Sequence, residues 1–519
     1  MSPIRRIVVL GGGTSGWMAA AYIRKTIESR MQEASVICVE SPEVATVGVG
    51  EATVPNLRDT LEYIGIGEND FLARTNGSFK QAIRFERWVQ PDQAADYYFH
   101  PFDYGAQQSF PALVRHWMVE NPDAPAMAFA RDTCVQSVLC ERMRSPFREG
   151  DYEFHGSAHY AYHTDATLLA TVLREHAVAR GVEHISARMV SAKRSANGDI
   201  EALVLDDGRE VHGDLFIDCS GFRSLLLEQT MGARHKPFAP HLLCDRAVAT
   251  RLPAVENRPL VPYTRAIAHQ NGWMWRIPLF TREGCGHVYS SAHQSPEQAE
   301  QALRAATGAG DDTPVWHLAM RTGCHDSYWI GNCVGIGLAA GFIEPLESTG
   351  IYITEIGLRL LADNLPRTLA EAAPLKREFN RAMQDLFDEL VNFITFHYAI
   401  AGRRDTPFWE DAAQPARWPD RLAHLMELWQ HRPPGPRDAG LHGAQFNYLS
   451  YVFVLAGMRP AFSRRYRHDG EMTHERYLKI LSKVKELQEK ELAGLPDHRA
   501  WLEGLRRTMA DRPVGAAGR

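Results

Sequence analysis

One stretch near the start, "IRRIVVLGGGTSGWMAAAYIRKTI" from Ile4 to Ile27, restricts the folds open to this chain more than any other. A β-rich apolar run from Ile4 to Leu10 passes straight into glycines and then into a helical pattern, which reads as strand, tight turn and helix. The next apolar run, "ASVICVE" from Ala34 to Glu40, is a second strand ending in an acid. Together they predict a βαβ unit. Gly11, Gly13 and Gly16 stand in GxGxxG spacing at the turn, where glycine allows the bend and lets backbone approach a pyrophosphate at the helix start. Thr14 and Ser15 lie in the same turn, and Glu40 is placed to accept a hydrogen bond from a ribose hydroxyl. The expectation is dinucleotide binding. A single fingerprint of this kind argues against a separate nicotinamide domain.

The totals agree with a large globular chain. At 519 residues, with 45% hydrophobic and 23% charged residues, it exceeds one ordinary core. A net charge of -6, with the signs interspersed, supplies no electrostatic footprint for nucleic acid or an anionic membrane. Eight cysteines are scattered without CxxC or zinc-like spacing, so no metal is expected. No segment approaches the ~18 to 20 apolar residues of a membrane span, and a cytoplasmic location is the default expectation.

Farther along, "NGDIEALVLDDGREVHGDLFIDCSG" predicts a hairpin about Asp207 and Gly208, followed by a buried strand from Leu215 to Asp218. "CVGIGLAAGF", Cys333 to Phe342, reads as another strand. Beyond about residue 350 the pattern turns helical, interrupted by the proline- and glycine-rich "HRPPGPRDAGLHG" from His431 to Gly443. The expected class is α/β: a Rossmann-like dinucleotide-binding module over residues 1–350, then a mostly helical region over 351–510. Residues 511–519 are expected to be a disordered tail.

"GWMWRIP", Gly272 to Pro278, places Trp273 and Trp275 on one face of a strand that stops at a proline. Core packing alone could account for such a pair. However, the segment matches the WxWxIP signature, and five others join it: "GVGEATVPNL" (Gly48 to Leu57), "FKQAIRFERW" (Phe79 to Trp88), "FHPF" (Phe99 to Phe102), "DLFIDCSGFRSLL" (Asp214 to Leu226) and "GFIEPLESTGIYI" (Gly341 to Ile353). With "GGGTSGW" they make the chain resemble the flavin-dependent halogenases of the tryptophan-halogenase family over most of its length.

That resemblance implies that the module over residues 1–350 is of the flavin-monooxygenase type and binds FAD, and that the helical region over 351–510 covers the substrate site. The FAD is used as FADH2, together with oxygen and chloride or bromide, which yield hypohalous acid. A separate flavin reductase would supply the FADH2. Lys80 matches the catalytic lysine that directs the oxidised halogen at an aromatic carbon. Glu347 matches the catalytic glutamate that stabilises the cationic ring intermediate and removes its proton. Thr349 and Gly350 match the halide site, Gly50 and Ala52 fall in a flavin-contacting segment, and Trp273 and Trp275 would form a partition on the flavin side. His100 and Phe102 match residues that sandwich the substrate ring, and Phe446 stands near a substrate-facing tryptophan.

The pattern departs from the family at the groups that hold an amino acid. A Tyr-Tyr pair and a Glu bind the ammonium and carboxylate of tryptophan in those enzymes, whereas Pro434, Gly435 and Leu441 occupy the corresponding positions here. An indole-like or other aromatic substrate, such as one used in natural-product biosynthesis, is therefore expected over free tryptophan. A flavin-dependent aromatic monooxygenase and a non-catalytic flavin-binding protein are the alternatives, and a homodimer is carried as an expectation.

Overall fold

The computed structural model describes residues 3–43, 48–93, 96–103, 110–255, 258–438 and 446–511. The chain divides into two compact units assembled from interleaved segments: Met1–Gly77, Thr164–Phe238 and Arg321–Phe387 make the first, and Ser78–His163, Ala239–Met320 and Asp388–Arg519 the second.

In the first unit, the predicted βαβ start becomes the centre of a six-stranded sheet. Its order is Trp329–Ile330, Cys333–Gly335, Leu215–Asp218, Arg6–Leu10, Ser35–Glu40 and Glu183–Ser186. All pairings are parallel except the edge pair at Trp329–Ile330. Val8 sits between Ile37 and Phe216 in register, and all three belong to one buried cluster. This is why "RIVVL" is apolar almost throughout: a central parallel strand is covered on both faces. The helix Thr14–Ser29 buries Gly16 and the run Ala19 to Ala21, small side chains that let it pack closely. The helix Ala166–Ala179 lies against it, started by Asp165, whose carboxylate accepts from the amides of Thr167 and Leu168.

The hairpin expected about Asp207 and Gly208 is present, Ile200–Leu205 pairing antiparallel with Glu210–His212. The single strand expected from Cys333 to Phe342 is not. It ends at Gly335, gives way to a short 3-10 turn at Gly337–Ala339, and resumes as Gly341–Phe342 in another sheet. Gly337 turns the chain at φ +64, and a Cβ there would lie 2.5 Å from Ser15 Oγ. An apolar run does not reveal where a glycine is used for a left-handed turn.

The second unit is built on a seven-stranded sheet in the order Val315–Ala319, Arg246–Pro253, Arg282–Tyr289, Gly272–Pro278, Tyr263–His269, Ala82–Glu86 and Tyr97–Pro101. Only Tyr263–His269 with Ala82–Glu86 is parallel. "GWMWRIP" is thus an interior strand, and Pro278 is its last residue. Helix Tyr448–Met458 is apolar nearly all round and buried; Gly457 lets it approach the Tyr98 ring, which a Cβ would meet at 2.2 Å. Helices predominate after residue 349, as the periodicity predicted. No helix among the described residues is long and apolar enough to cross a membrane. Residues 512–519 and Leu441 lie outside the described residues.

Candidate active site

In the first unit the candidate site is made chiefly of backbone. Gly11, at φ +123, comes so close to the neighbouring strand end that a Cβ would lie 2.2 Å from Cys219 O. At Gly16 a Cβ would meet Gly11 O at 1.8 Å. A Cβ on Gly13, by contrast, would meet nothing within 4 Å, so this is the open side of the turn. The helix that follows has no side-chain cap at Gly13 and no acid in its first turn. Its leading amides are therefore available to an anion, which the helix dipole also favours. These features fit the pyrophosphate of FAD.

The side chains around this turn are arranged to leave it clear. Thr14 Oγ1 donates to Ala166 O at 3.4 Å, and Ser15 Oγ is 2.9 Å from Thr354 Oγ1, so both hydroxyls tie helices together. Glu40 lies against the turn, where a Cβ on Gly12 would come within 2.2 Å of its side chain. Its carboxylate is held by His184 Nε2 at 2.9 Å, with the indole of Trp17 edge-on to that imidazole. His184 thus positions the Glu40 carboxylate, and nothing in its sequence context signals this. Gly50 takes φ +119 just before the two-residue strand Glu51–Ala52. Burial pushes the Glu51 carboxyl up to about 7.

The segment predicted to bind halide is a second uncapped helix start. Helix Thr349–Asp363 begins after Ser348, a non-glycine residue at φ +62, with no side-chain cap and no acid in the first turn. Thr349 Oγ1 is buried without a hydrogen-bond partner among the described residues. A Cβ on Gly350 would meet nothing within 4 Å. An orphaned hydroxyl, free amides and open space suit a small anion. Glu347, two residues before Thr349, is 1% exposed in the 3-10 turn Pro345–Glu347.

In the second unit the predicted residues are side chains, Lys80, His100, Trp273 and Trp275 on strands and Phe102 and Phe446 in loops. Lys80 ends the strand Ser78–Lys80 and is 0% exposed, its ammonium 5.0 Å from the centre of the Phe102 ring. That is within cation–π range. The strand pairs antiparallel with Ala161–Thr164, setting Ser78 opposite His163. Ser78 Oγ donates to Pro278 O at 2.6 Å and lies 3.2 Å from His163 Nδ1, while His163 Nε2 is 2.9 Å from Thr264 Oγ1. The lysine strand is therefore fastened to the proline that ends WxWxIP. Burial, then the charges of Lys80 and His498, drive the His163 imidazole well below its usual range, so it stays neutral beside the ammonium.

Phe102 is held through its backbone: its amide and that of Asp103 both donate to Gln136 Oε1 at 2.7 Å. Residues 104–109 lie outside the described residues. His100, 2% exposed, packs edge-on to Phe393 at 5.7 Å and against Phe446 at 6.3 Å, and the two phenyl rings stack at 4.7 Å. Phe393 extends the predicted aromatic set; it lies inside a long helical run, where its phenyl looks like any core residue. Trp273 and Trp275 are buried on the same strand face with ring centres 6.2 Å apart. Neither indole N–H finds a partner among the described residues. The Trp275 ring lies over Gly286, where a Cβ would intrude to 2.0 Å.

Of the amino-acid clamp positions, Pro434 and Gly435 are described and offer no side-chain donor or acceptor. The acid nearby, Asp438, is already engaged: Arg432 holds both its oxygens at 2.6 and 2.7 Å, and Trp429 Nε1 and the Gly435 amide add bonds at 2.9 and 2.8 Å. Burial pushes its carboxyl up, but Arg432 and these donors hold it below the usual carboxylate range.

Comparison with known proteins agrees with this geometry. The tryptophan halogenase family model matches residues 6–472. The 7-chloro-L-tryptophan 6-halogenase KtzR of Kutzneria sp. is 34% identical, over 96% of this chain and 99% of that protein. The crystal structure of a tryptophan halogenase from Shewanella frigidimarina superposes with a TM-score of 0.91 at 31% identity, covering 97% of this chain and 98% of that one. A flavin-dependent halogenase from Xanthomonas campestris does so with a TM-score of 0.86 at 34% identity, covering 97% and 98%. The chain belongs to the tryptophan halogenase family and is an FADH2- and halide-dependent enzyme that halogenates an aromatic substrate.

Proposed function

We propose that the substrate is an electron-rich arene without a zwitterionic side chain, such as an indole or a phenol, and that Lys80 and Glu347 carry its halogenation. The observation behind the lysine assignment is its placement: a lysine 0% exposed whose ammonium faces an aromatic ring, on a strand that Ser78 fastens to Pro278 at the end of WxWxIP. FADH2, when bound, supplies hypohalous acid from oxygen and halide. The Lys80 ammonium donates a hydrogen bond to the oxygen of that acid, which makes the halogen more electrophilic and that oxygen a better leaving group.

The aromatic carbon then forms the carbon–halogen bond as the halogen–oxygen bond breaks, and the departing oxygen takes a proton from the Lys80 ammonium and leaves as water. Glu347 steadies the cationic ring with its carboxylate and takes the ring proton. His100, Phe102 and Phe446 offer flat apolar faces, which accept any electron-rich ring. Gly11, Gly13, Gly16 and Glu40 hold the nucleotide, Thr349 and Gly350 the halide, and Trp273 with Trp275 separates organic substrate from flavin.

Free tryptophan would have to bring an ammonium and a carboxylate out of water. Without matched partners this costs several kcal/mol, and each ~1.4 kcal/mol is a factor of ten in specificity. Asp438, the acid near the clamp positions, already serves Arg432. The test is competition: equimolar indole and tryptophan with FAD, a flavin reductase and either halide, followed by quantification of halogenated products. Indole should dominate. A clear preference for tryptophan would overturn the substrate reading, and hydroxylated product without halogen would instead indicate a monooxygenase.

A further inference from the structure

A cluster of histidines in the second unit belongs to none of the roles above. His116 and Glu120 lie four apart on helix Phe110–Glu120 and so share a face. Across from them stands His474, the first residue of helix His474–Gly494, whose start is capped by Thr473. His116 Nε2 and His474 Nδ1 face each other at 3.4 Å. Glu120 reaches toward the same point, its oxygens 3.9 Å from His116 Nε2 and 4.0 Å from His474 Nδ1. These donor atoms all lie within 4.8 Å of one another.

We propose that His116, Glu120 and His474 form a binding site for a divalent transition-metal ion of the zinc class, with His468 as the group that orients Glu120. Zinc bonds imidazole nitrogen at about 2.0–2.1 Å, so two tetrahedral ligands stand roughly 3.3 Å apart. The 3.4 Å between the imidazole nitrogens matches that edge. It is long for a hydrogen bond between them. A small rotation of the Glu120 side chain, 35% exposed, closes the remaining distance.

His468 Nε2 lies 2.9 Å from Glu120 Oε1, the outer contact that fixes a ligating carboxylate. The nearby Asp469 is already engaged by Arg115 at 2.9 Å. The Tyr477 ring, 4.5 Å from that of His116, packs against the buried ligand.

Two imidazoles and a carboxylate on two helices prefer zinc, cobalt, nickel or copper to calcium or magnesium, which select all-oxygen sites. Three protein ligands leave a position for water. The site's role is structural: it clips the helix 110–120 to the start of the helix 474–494. Sequence spacing gave no hint of it, because His116 and His474 are 358 residues apart.

The test uses full-length protein stripped with a chelator and titrated with Zn2+ alone. Uptake should saturate at about one equivalent and raise the thermal midpoint. Co2+ in its place should show the visible absorption of a four- or five-coordinate ion. His474→Ala and Glu120→Ala, chosen because both side chains are substantially exposed and need not disturb folding, should each weaken Zn2+ binding about tenfold or more. An exposed histidine elsewhere, changed as His431→Ala, should leave it unaltered. Absence of saturable uptake, uptake insensitive to both ligand substitutions, or preferential binding of Ca2+ or Mg2+ would overturn the proposal.

Discussion

The two units assemble their parts of the machinery from different materials. In the first, the proposed ligand contacts are mostly helix starts and glycines, the turn at Gly11 to Gly16 and the uncapped start at Thr349, with the carboxylates of Glu40 and Glu347 as the side-chain exceptions. In the second they are side chains, Lys80 and a set of rings, held by hydrogen bonds among distant segments. A backbone site can be damaged by adding one carbon, because its specificity is the absence of side chains. A side-chain site tolerates such additions but depends on a few polar atoms. Substitutions should therefore separate the two in what they abolish.

The largest expected effect is at Lys80. Lys80→Met keeps the length of the side chain and removes only the ammonium, so flavin binding and oxygen consumption should persist while halogenated product falls by roughly 10²-fold or more. Product yield and flavin affinity, measured together, decide it. Near-normal product would remove Lys80 from the mechanism.

Next comes the glycine turn, where neighbouring positions should behave oppositely. Gly16→Ala would press a Cβ to 1.8 Å from Gly11 O and should cost FAD affinity about tenfold or more. Gly13→Ala meets nothing within 4 Å in the protein and should leave folding and thermal stability unchanged. Fluorescence titration with FAD and melting curves separate the two. Equal affinities for Gly16→Ala and the parent would mean that this turn does not hold the nucleotide.

A smaller effect is expected at Ser78, whose hydroxyl joins the lysine strand to Pro278 O. Ser78→Ala removes the buried bonds to Pro278 O and His163 Nδ1, about 1 kcal/mol each, and loosens Lys80 without deleting it. Turnover should fall severalfold with unchanged flavin affinity. A loss equal to that of Lys80→Met would show that Ser78 does more than position the strand.

How much of this was legible in the sequence follows the same division. Gly11, Gly13, Gly16 and the acid at Glu40 are a local pattern, and the βαβ unit they predict is present at the centre of the six-stranded sheet, whose extent and strand order they do not reveal. Lys80, Trp273 and Glu347 are unremarkable as residue types; only the surrounding family segments single them out. The groups that hold them were not legible at all. Ser78 meets His163 across 85 residues and Pro278 across 200, and His184 meets Glu40 only because their strands are neighbours in the sheet. Such pairings are set by topology, which local periodicity does not encode. The break at Gly337 is hidden for a related reason: the missing side chain there leaves room for Ser15, a residue far away in the chain.

The smallest effect on turnover, but a measurable one on stability, is expected at Glu355 on helix Thr349–Asp363. This carboxyl is 3% exposed, and neither oxygen has a hydrogen-bond partner of good geometry among the described residues. It borders a cavity of about 210 Å³ that it shares with Tyr22, Asp59, Tyr63 and Arg359. Burial is the main cause that pushes it up to about 8, with Asp59 adding to the rise and Thr60 and Arg359 opposing it. Between the ordinary value of 4.5 and about 8 the folded protein therefore holds a proton that the unfolded chain has released. Stability must fall as pH rises through that window, by up to roughly 5 kcal/mol, and level off beyond it. Glu355→Gln keeps the shape and cannot ionise, so its stability should vary less with pH, and its advantage over the parent should grow from pH 5 to pH 9. Thermal midpoints across that range decide the matter, and parallel curves for the two proteins would show that Glu355 does not carry a buried proton.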